Sequence, residues 1–324
     1  MCTAAAYHTR DHYFGRNLDL EYSYHEQVAV TPRHYPFQFR NGEQDSDHWG
    51  IIGMAFVVGG YPLYYDAVNE KGLGIAGLNF PGTCQFRKPE EGKTNIASFE
   101  FIPYLLSRCV TIADVRKVLS EANITDEAFS PELPPNPLHW LVSDLESQIV
   151  VEQTAEGLKI YDDPVGVMTN NPTFDKQMTH LADYRNLTAQ QGECRFAPGL
   201  ELDAYSRGMG GMGLPGDLSS ASRFVKVAFT RMNSVADESE SASVSQFFHI
   251  LGSVEQQRGL CCLEPDTYEI TIYSSCCNQD KGIYYYTTYE NSQISAVDMH
   301  KENLDADQVI TYDLIKGQQI NYQN

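Results

Sequence analysis

The first eighty residues read as six apolar runs cut by turns, and this pattern limits the fold more than any other feature. The runs cover residues 3–9, 13–20, 27–32, 51–58, 64–69 and 73–80. Arg10-Asp11-His12 joins the first two, Gly59-Gly60 closes the fourth, and Glu70-Lys71-Gly72 turns into the sixth. Val28 and Val30 alternate with smaller or polar neighbours, the period of a half-buried strand. Turns this tight predict antiparallel pairing.

Helical spacing follows. Residues 99–109 are apolar at that period, with Pro103 tolerable only in a first turn. Thr111-Ile112-Ala113-Asp114 is a capping box opening a helix over 112–122. Residues 123–137 form a loop containing Pro131, Pro134, Pro135 and Pro137. Its apolar residues Phe129 and Leu133 suit the border of a binding site. Strands are predicted over 138–143, 148–154 and 158–161, then a helix over 174–184. A glycine-rich loop over 207–216 runs into a helix ending near Met232, and another helix spans 244–255. Strands close the chain at 268–274, 282–289 and 294–298. The order strands, helices, strands, helices, strands predicts an α+β protein with two sheets faced by helices. No repeat or linker divides it, so one domain is expected over 1–324.

Charge narrows the function. The 23 Lys and Arg stand against 43 Asp and Glu, a formal net charge of -20. Nucleic acid requires a basic face, so it is not an expected partner. Long-range steering of anionic substrates is disfavoured too. No apolar run reaches the roughly eighteen residues of a membrane span. The start of the chain has neither a basic segment nor an apolar one, so a cytoplasmic protein is expected. Its eight cysteines are then expected as free thiols, with the Cys261-Cys262 and Cys276-Cys277 pairs serving as small buried hydrophobes. No His-Glu-x-x-His pattern is present, and no metal is expected.

Met1-Cys2 carries the chemistry. Loss of Met1 would leave a thiol and a free α-amine on one residue, a nucleophile with its own base. A chain amine titrates at roughly 7.7 to 8, so it accepts a proton near neutral pH. A thiol attacks as the thiolate. Arg16 and Asp19 lie within one hairpin's reach. Asn79 at a strand end and Asn170 at a strand-to-loop junction are turn or cap residues in isolation, yet both suit donation to an oxyanion. Arg223, at the start of a helix, opposes the macrodipole there, so a local anionic partner is expected. The loop over 208–216 lacks the Gly-Lys-Ser/Thr of a P-loop and the feeding strand of a dinucleotide site. It reads as a surface loop or a substrate-facing lid. His139 reads as a structural histidine.

These residues occur in an ordered set. It comprises Met1-Cys2-Thr3, Phe14-Gly15-Arg16-Asn17-Leu18-Asp19, Tyr61-Pro62-Leu63-Tyr64-Tyr65-Asp66, Gly77-Leu78-Asn79-Phe80-Pro81 and Leu138-His139-Trp140. It continues through Thr169-Asn170-Asn171-Pro172-Thr173-Phe174-Asp175, Gly213-Leu214-Pro215-Gly216-Asp217 and Ser222-Arg223-Phe224. The set resembles the choloylglycine hydrolase family of N-terminal-nucleophile hydrolases, and within it the bile salt hydrolases. The resemblance implies a four-layer αββα sandwich, two antiparallel sheets flanked by helices. It implies Cys2 as nucleophile, Arg16 and Asp19 flanking its thiol and amine, and Arg223 supporting the transition state. Asn79 through its backbone N–H and Asn170 through its side-chain amide are implied as the oxyanion donors. It further implies a homotetramer, no cofactor, and glycine- or taurine-conjugated bile acids as substrates.

A negative protein binding an anionic steroid must gain affinity from apolar contact. Leu18, Tyr24, Phe56, Phe129 and Leu133 are the candidates for that surface. Two readings compete. The first is an acylase for penicillin V or another N-acyl amide, a branch that tends to carry an aromatic at the position of Asn79. The second is a non-catalytic steroid-binding protein. The resemblance also places Tyr205-Ser206-Arg207-Gly208 in the loop that the family associates with glycine-versus-taurine preference, and its Ser206-Arg207 form implies a lean towards glycine conjugates.

Overall fold

The hairpin that begins with Cys2 lies inside a six-stranded antiparallel sheet. Strand order runs Val167–Met168, Cys2–His8, His12–Leu20, Ile270–Asn278, Ile283–Thr288, Asn291–Asp298. The computed structural model describes residues 1–324. An eight-stranded sheet packs against the first, ordered Gly157–Asp162, Gln148–Thr154, Leu138–Ser143, Gly74–Asn79, Tyr61–Asn69, Ile51–Val58, Gln27–Thr31, Ile310–Asp313. Every neighbouring pair in the two sheets is antiparallel.

Two cores hold the layers together. One packs α1 (Phe101–Leu106) and α2 (Ile112–Leu119) on the outer face of the eight-stranded sheet, around Trp140, Ile75 and Ile149. In the other, residues between the sheets (Val30, Met54, Leu78, Tyr284) join α4 (Ser220–Asn233) and α5 (Glu240–Gly252), through Phe224 and Phe247. The helix α3 (Phe174–Leu181) leans on α4 through Phe174 and Phe224, ring centroids 6.0 Å apart. The layers are αββα, as expected.

Local departures have physical causes. The helix expected over 99–109 is a 3-10 turn over Ser98–Glu100 followed by the six residues of α1, with Pro103 near its start. The predicted loop opens with a strand, Ala122–Thr125, paired in parallel with Thr94–Ala97. Ile310–Asp313 is an additional edge strand on Gln27–Thr31, too polar to announce itself. Ser239 caps α5 by accepting from Ala242, so that helix begins before residue 244. The capping box at Thr111 and Asp114 forms as expected. All eight cysteines are free, and Cys276 and Cys277 are buried. Cys262 is instead exposed, because its short strand lies outside both main sheets. His8 and His12, four residues apart, face each other across the first hairpin with rings stacked at 4.4 Å.

Candidate active site

Register decides what surrounds Cys2. Cys2 pairs with Leu18 and Ala4 with Arg16. Side chains alternate across a strand, so Arg16, Leu18 and Leu20 share one face while Asn17 and Asp19 take the other. The first face lines a cavity of about 340 Å³ that Cys2 also lines. The second faces the helix layer, where Asn17 donates to the Leu251 carbonyl of α5 at 3.0 Å. Gly15 allows this packing: a Cβ there would stand 2.0 Å from the Ser275 carbonyl oxygen. The next residue, Arg16, donates its backbone N–H to Ser275 Oγ at 3.0 Å.

Arg16 is fully buried. Its guanidinium donates to the carbonyls of Tyr65 at 3.1 Å and Gly77 at 2.5 Å. Burial opposes its charge, but Cys2, Tyr273, Asp66 and Asp19 outweigh it and hold the group firmly protonated. Asp66 is the carboxylate that bridges the sheets. It accepts from Tyr273 at 2.6 Å, Tyr284 at 2.7 Å and Ser275 at 2.9 Å. Burial pushes its carboxyl up, against the pull of Arg16 and those three hydroxyls.

Asp19 accepts from Thr271 Oγ1 at 2.6 Å and from Gln256 Nε2 at 3.4 Å. Burial raises its carboxyl, opposed by Arg223, Thr271, the chain amine and Arg16. The Met1 ammonium donates to the Asp19 backbone carbonyl at 2.8 Å and pairs with Glu269.

Asn170 is the hub. Its Oδ1 accepts from the Cys2 nitrogen at 2.7 Å and from Arg223 Nη2 at 2.8 Å. Its Nδ2 donates to the Asn79 carbonyl at 2.7 Å. Arg223, in the first turn of α4, also reaches the Cys2 carbonyl at 2.5 Å, Thr3 Oγ1 at 2.6 Å and the Leu218 carbonyl at 3.0 Å. It therefore holds four neutral acceptors rather than a carboxylate. Burial lowers its pKa, and Asp19 and Cys2 offset this.

The six residues Cys2, Arg16, Asp19, Asn79, Asn170 and Arg223 thus gather around one strand end. Leu18, Tyr24, Phe56, Phe129 and Leu133 all line the cavity beside it, with Leu63, Tyr65, Phe99 and Pro134. The glycine-rich stretch 207–216 does not line this cavity. Thr271 and Glu269 carry no local mark in the sequence that would single them out. Thr3 and Asp66 are marked only as members of the ordered stretches Met1-Cys2-Thr3 and Tyr61-Pro62-Leu63-Tyr64-Tyr65-Asp66.

The profile of the linear amide C–N hydrolases, choloylglycine hydrolase family, matches residues 2–312. The chain belongs to the choloylglycine hydrolase family. It is an enzyme of the amide C–N hydrolase class. Among choloylglycine hydrolases it is 55% identical over 314 residues to a bile salt hydrolase/transferase of Lactiplantibacillus plantarum, covering 97% of each chain. The crystal structure of the C2A mutant of the conjugated bile acid hydrolase from Clostridium perfringens superposes with a TM-score of 0.92, at 40% identity and complete coverage of both chains. Penicillin V acylase from Agrobacterium tumefaciens shares the fold, with a TM-score of 0.75 at 20% identity over 97% of this chain and 92% of its own. No helix of this choloylglycine hydrolase is long and apolar enough to cross a membrane.

Proposed function

We propose that the chain hydrolyses the amide bond of glycine- or taurine-conjugated bile acids through a thioester on Cys2. The observation that carries this reading is the meeting of Cys2 and Asn170 at one end of an apolar-walled cavity. The relatives named for bile salt and conjugated bile acid hydrolysis support it.

Removal of Met1 turns the Cys2 nitrogen into an α-amine that keeps Asn170 Oδ1 as its acceptor. Its lone pair takes the thiol proton, directly or through a water. The thiolate attacks the acyl carbon, and the carbonyl oxygen becomes an oxyanion. The Asn79 N–H and the second hydrogen of Asn170 Nδ2 donate to it, an interaction worth about 3 kcal/mol per donor. The ammonium then protonates the departing nitrogen of glycine or taurine as the C–N bond breaks. A water gives its proton to the amine and attacks the thioester, and the C–S bond breaks to restore the thiol. Arg16 holds the Gly77 strand against the nucleophile. Arg223 fixes the Cys2 carbonyl and the Asn170 amide together.

The steroid nucleus occupies the wall built by Leu18, Phe56, Phe129 and Leu133, whose burial is worth about 25 cal/mol per Å². The working protein is a cytoplasmic homotetramer, with size-exclusion chromatography coupled to light scattering as the check on assembly. The test of substrate class runs conjugated bile acids and penicillin V side by side. Release of glycine or taurine should exceed release of phenoxyacetate. The reverse order would move the chain to the acylase branch.

A further inference from the structure

His139 is 1% exposed and lies outside the catalytic constellation, yet it touches the neighbours of both oxyanion asparagines. Its ring stacks on Phe80, the residue after Asn79, with centroids 4.1 Å apart and planes within 5°. Its Nε2 stands 2.8 Å from the carbonyl of Thr169, the residue before Asn170. Its Nδ1 stands 3.2 Å from Glu152 Oε1, and that oxygen also accepts from the Phe174 backbone at 3.0 Å. Both ring nitrogens therefore face oxygens, and Glu152 is itself tied to the first residue of α3. The ring cannot tilt without breaking a contact. Asn79 and Asn170 are ninety-one residues apart in sequence, joined by one bond from Asn170 Nδ2 to the Asn79 carbonyl. The imidazole is a second brace between the same two strand ends.

We infer that His139 is a positioning residue, which sets the spacing of Asn79 and Asn170 by stacking on Phe80 and donating to the Thr169 carbonyl. The inference rests on the oxyanion roles proposed for those asparagines. Glu152 fixes the ring from the other side. A displacement near 1 Å at a catalytic donor costs about a hundredfold in rate. The brace therefore acts on kcat and leaves the distant steroid wall, and hence KM, unchanged.

Two substitutions separate positioning from bulk packing. His139→Gln places an amide near the position of Nε2 and keeps the donor to Thr169. His139→Asn places one near Nδ1 and reaches only Glu152. Both lose the ring and remove similar polar volume. In the processed full-length enzyme, kcat on a glycine conjugate should fall about 30- to 100-fold in the Asn variant and no more than about 5-fold in the Gln variant. KM should stay level in both. Alkylation of Cys2 by iodoacetamide, which needs no oxyanion hole, should keep its wild-type rate. Equal kcat losses in the two variants, a KM rising in step, or alkylation slowing with turnover would each overturn the inference. If the Asn variant does not fold, His139→Met replaces it, matching Gln in length without a donor to Thr169, and an unchanged kcat there overturns the inference equally. Absence of turnover in the wild type would instead remove the hydrolase reading itself.

Discussion

The backbone nitrogen of Cys2 donates to Oδ1 of Asn170 at 2.7 Å, across 168 residues of chain. The same amide receives Arg223 and gives its other end to the Asn79 carbonyl. One side chain therefore holds the Cys2 nitrogen and, in the proposed reaction, also supplies an oxyanion donor. Asn170→Asp keeps both acceptor contacts and loses only the N–H donors. We predict that kcat falls about 10²- to 10³-fold, as for loss of one oxyanion donor. Asn170→Ala should match that loss and also cost stability, about 1–3 kcal/mol, because two buried donors lose their acceptor. Steady-state kinetics with urea unfolding of both variants is the check; an active Asp variant would contradict the donor role.

Asp66 ties the sheets together behind Arg16. An amide in its place offers one acceptor oxygen to three hydroxyls and removes a charge facing the guanidinium. Asp66→Asn should destabilise the protein by about 2–4 kcal/mol. Urea denaturation measures this, and an unmoved midpoint would show that the bridge contributes nothing.

Phe129 packs against Tyr61 and Phe99 with centroids 5.4 and 5.3 Å away, and its carbonyl accepts from Arg40 at 2.7 Å. It contributes area to the cavity and no polar group to the reaction. Phe129→Ala should raise KM about tenfold or more, the equivalent of about 1.5–3 kcal/mol of lost burial, with kcat little changed. A fall confined to kcat would place Phe129 in the chemistry instead.

Glu100, the last residue of the 3-10 turn, is buried and accepts from the Arg40 backbone at 2.9 Å. Burial pushes its carboxyl up to about 7, opposed by the backbone donors of Arg40 and Ala97. In the unfolded chain a Glu titrates near 4.3. Between the two values the folded state holds a proton that the unfolded state has released. Stability therefore falls as pH rises through that window and levels off above it. Glu100→Gln removes this contribution. The variant should match the wild type near pH 4.5 and exceed it at pH 8 by on the order of 1–3 kcal/mol. Thermal unfolding at the two pH values reads the difference, and an equal gap at both would contradict it.

Much of this was legible in the sequence, for reasons specific to particular residues. The turn at Arg10-Asp11-His12 made the first hairpin readable, but its two faces, with Arg16 and Leu18 on one and Asp19 on the other, come from the strand register. Tight turns at Gly59-Gly60 and Glu70-Lys71-Gly72 set antiparallel order. The strand Ile310–Asp313 escaped because three of its four residues are exposed, so no apolar alternation marks it. Thr94–Ala97 escaped for a similar reason, its first half being only partly buried. In the site, residue types were readable and orientations were not. Whether Asn170 offers its oxygen or its nitrogen to Cys2 depends on Arg223, fifty-three residues later. Thr271 and Asp66 serve Asp19 and Arg16 through register between distant strands, which no local pattern encodes.

In the proposed reaction Cys2, freed of Met1, carries the acyl group. Intact-mass spectrometry of enzyme quenched in acid during turnover of a glycine-conjugated bile acid addresses it directly. The expected species is a protein lacking Met1 that has gained the mass of the bile acyl group, with the adduct on the N-terminal peptide and absent from Cys2→Ala. Full turnover by protein that retains Met1, or an adduct on any other residue, would contradict it.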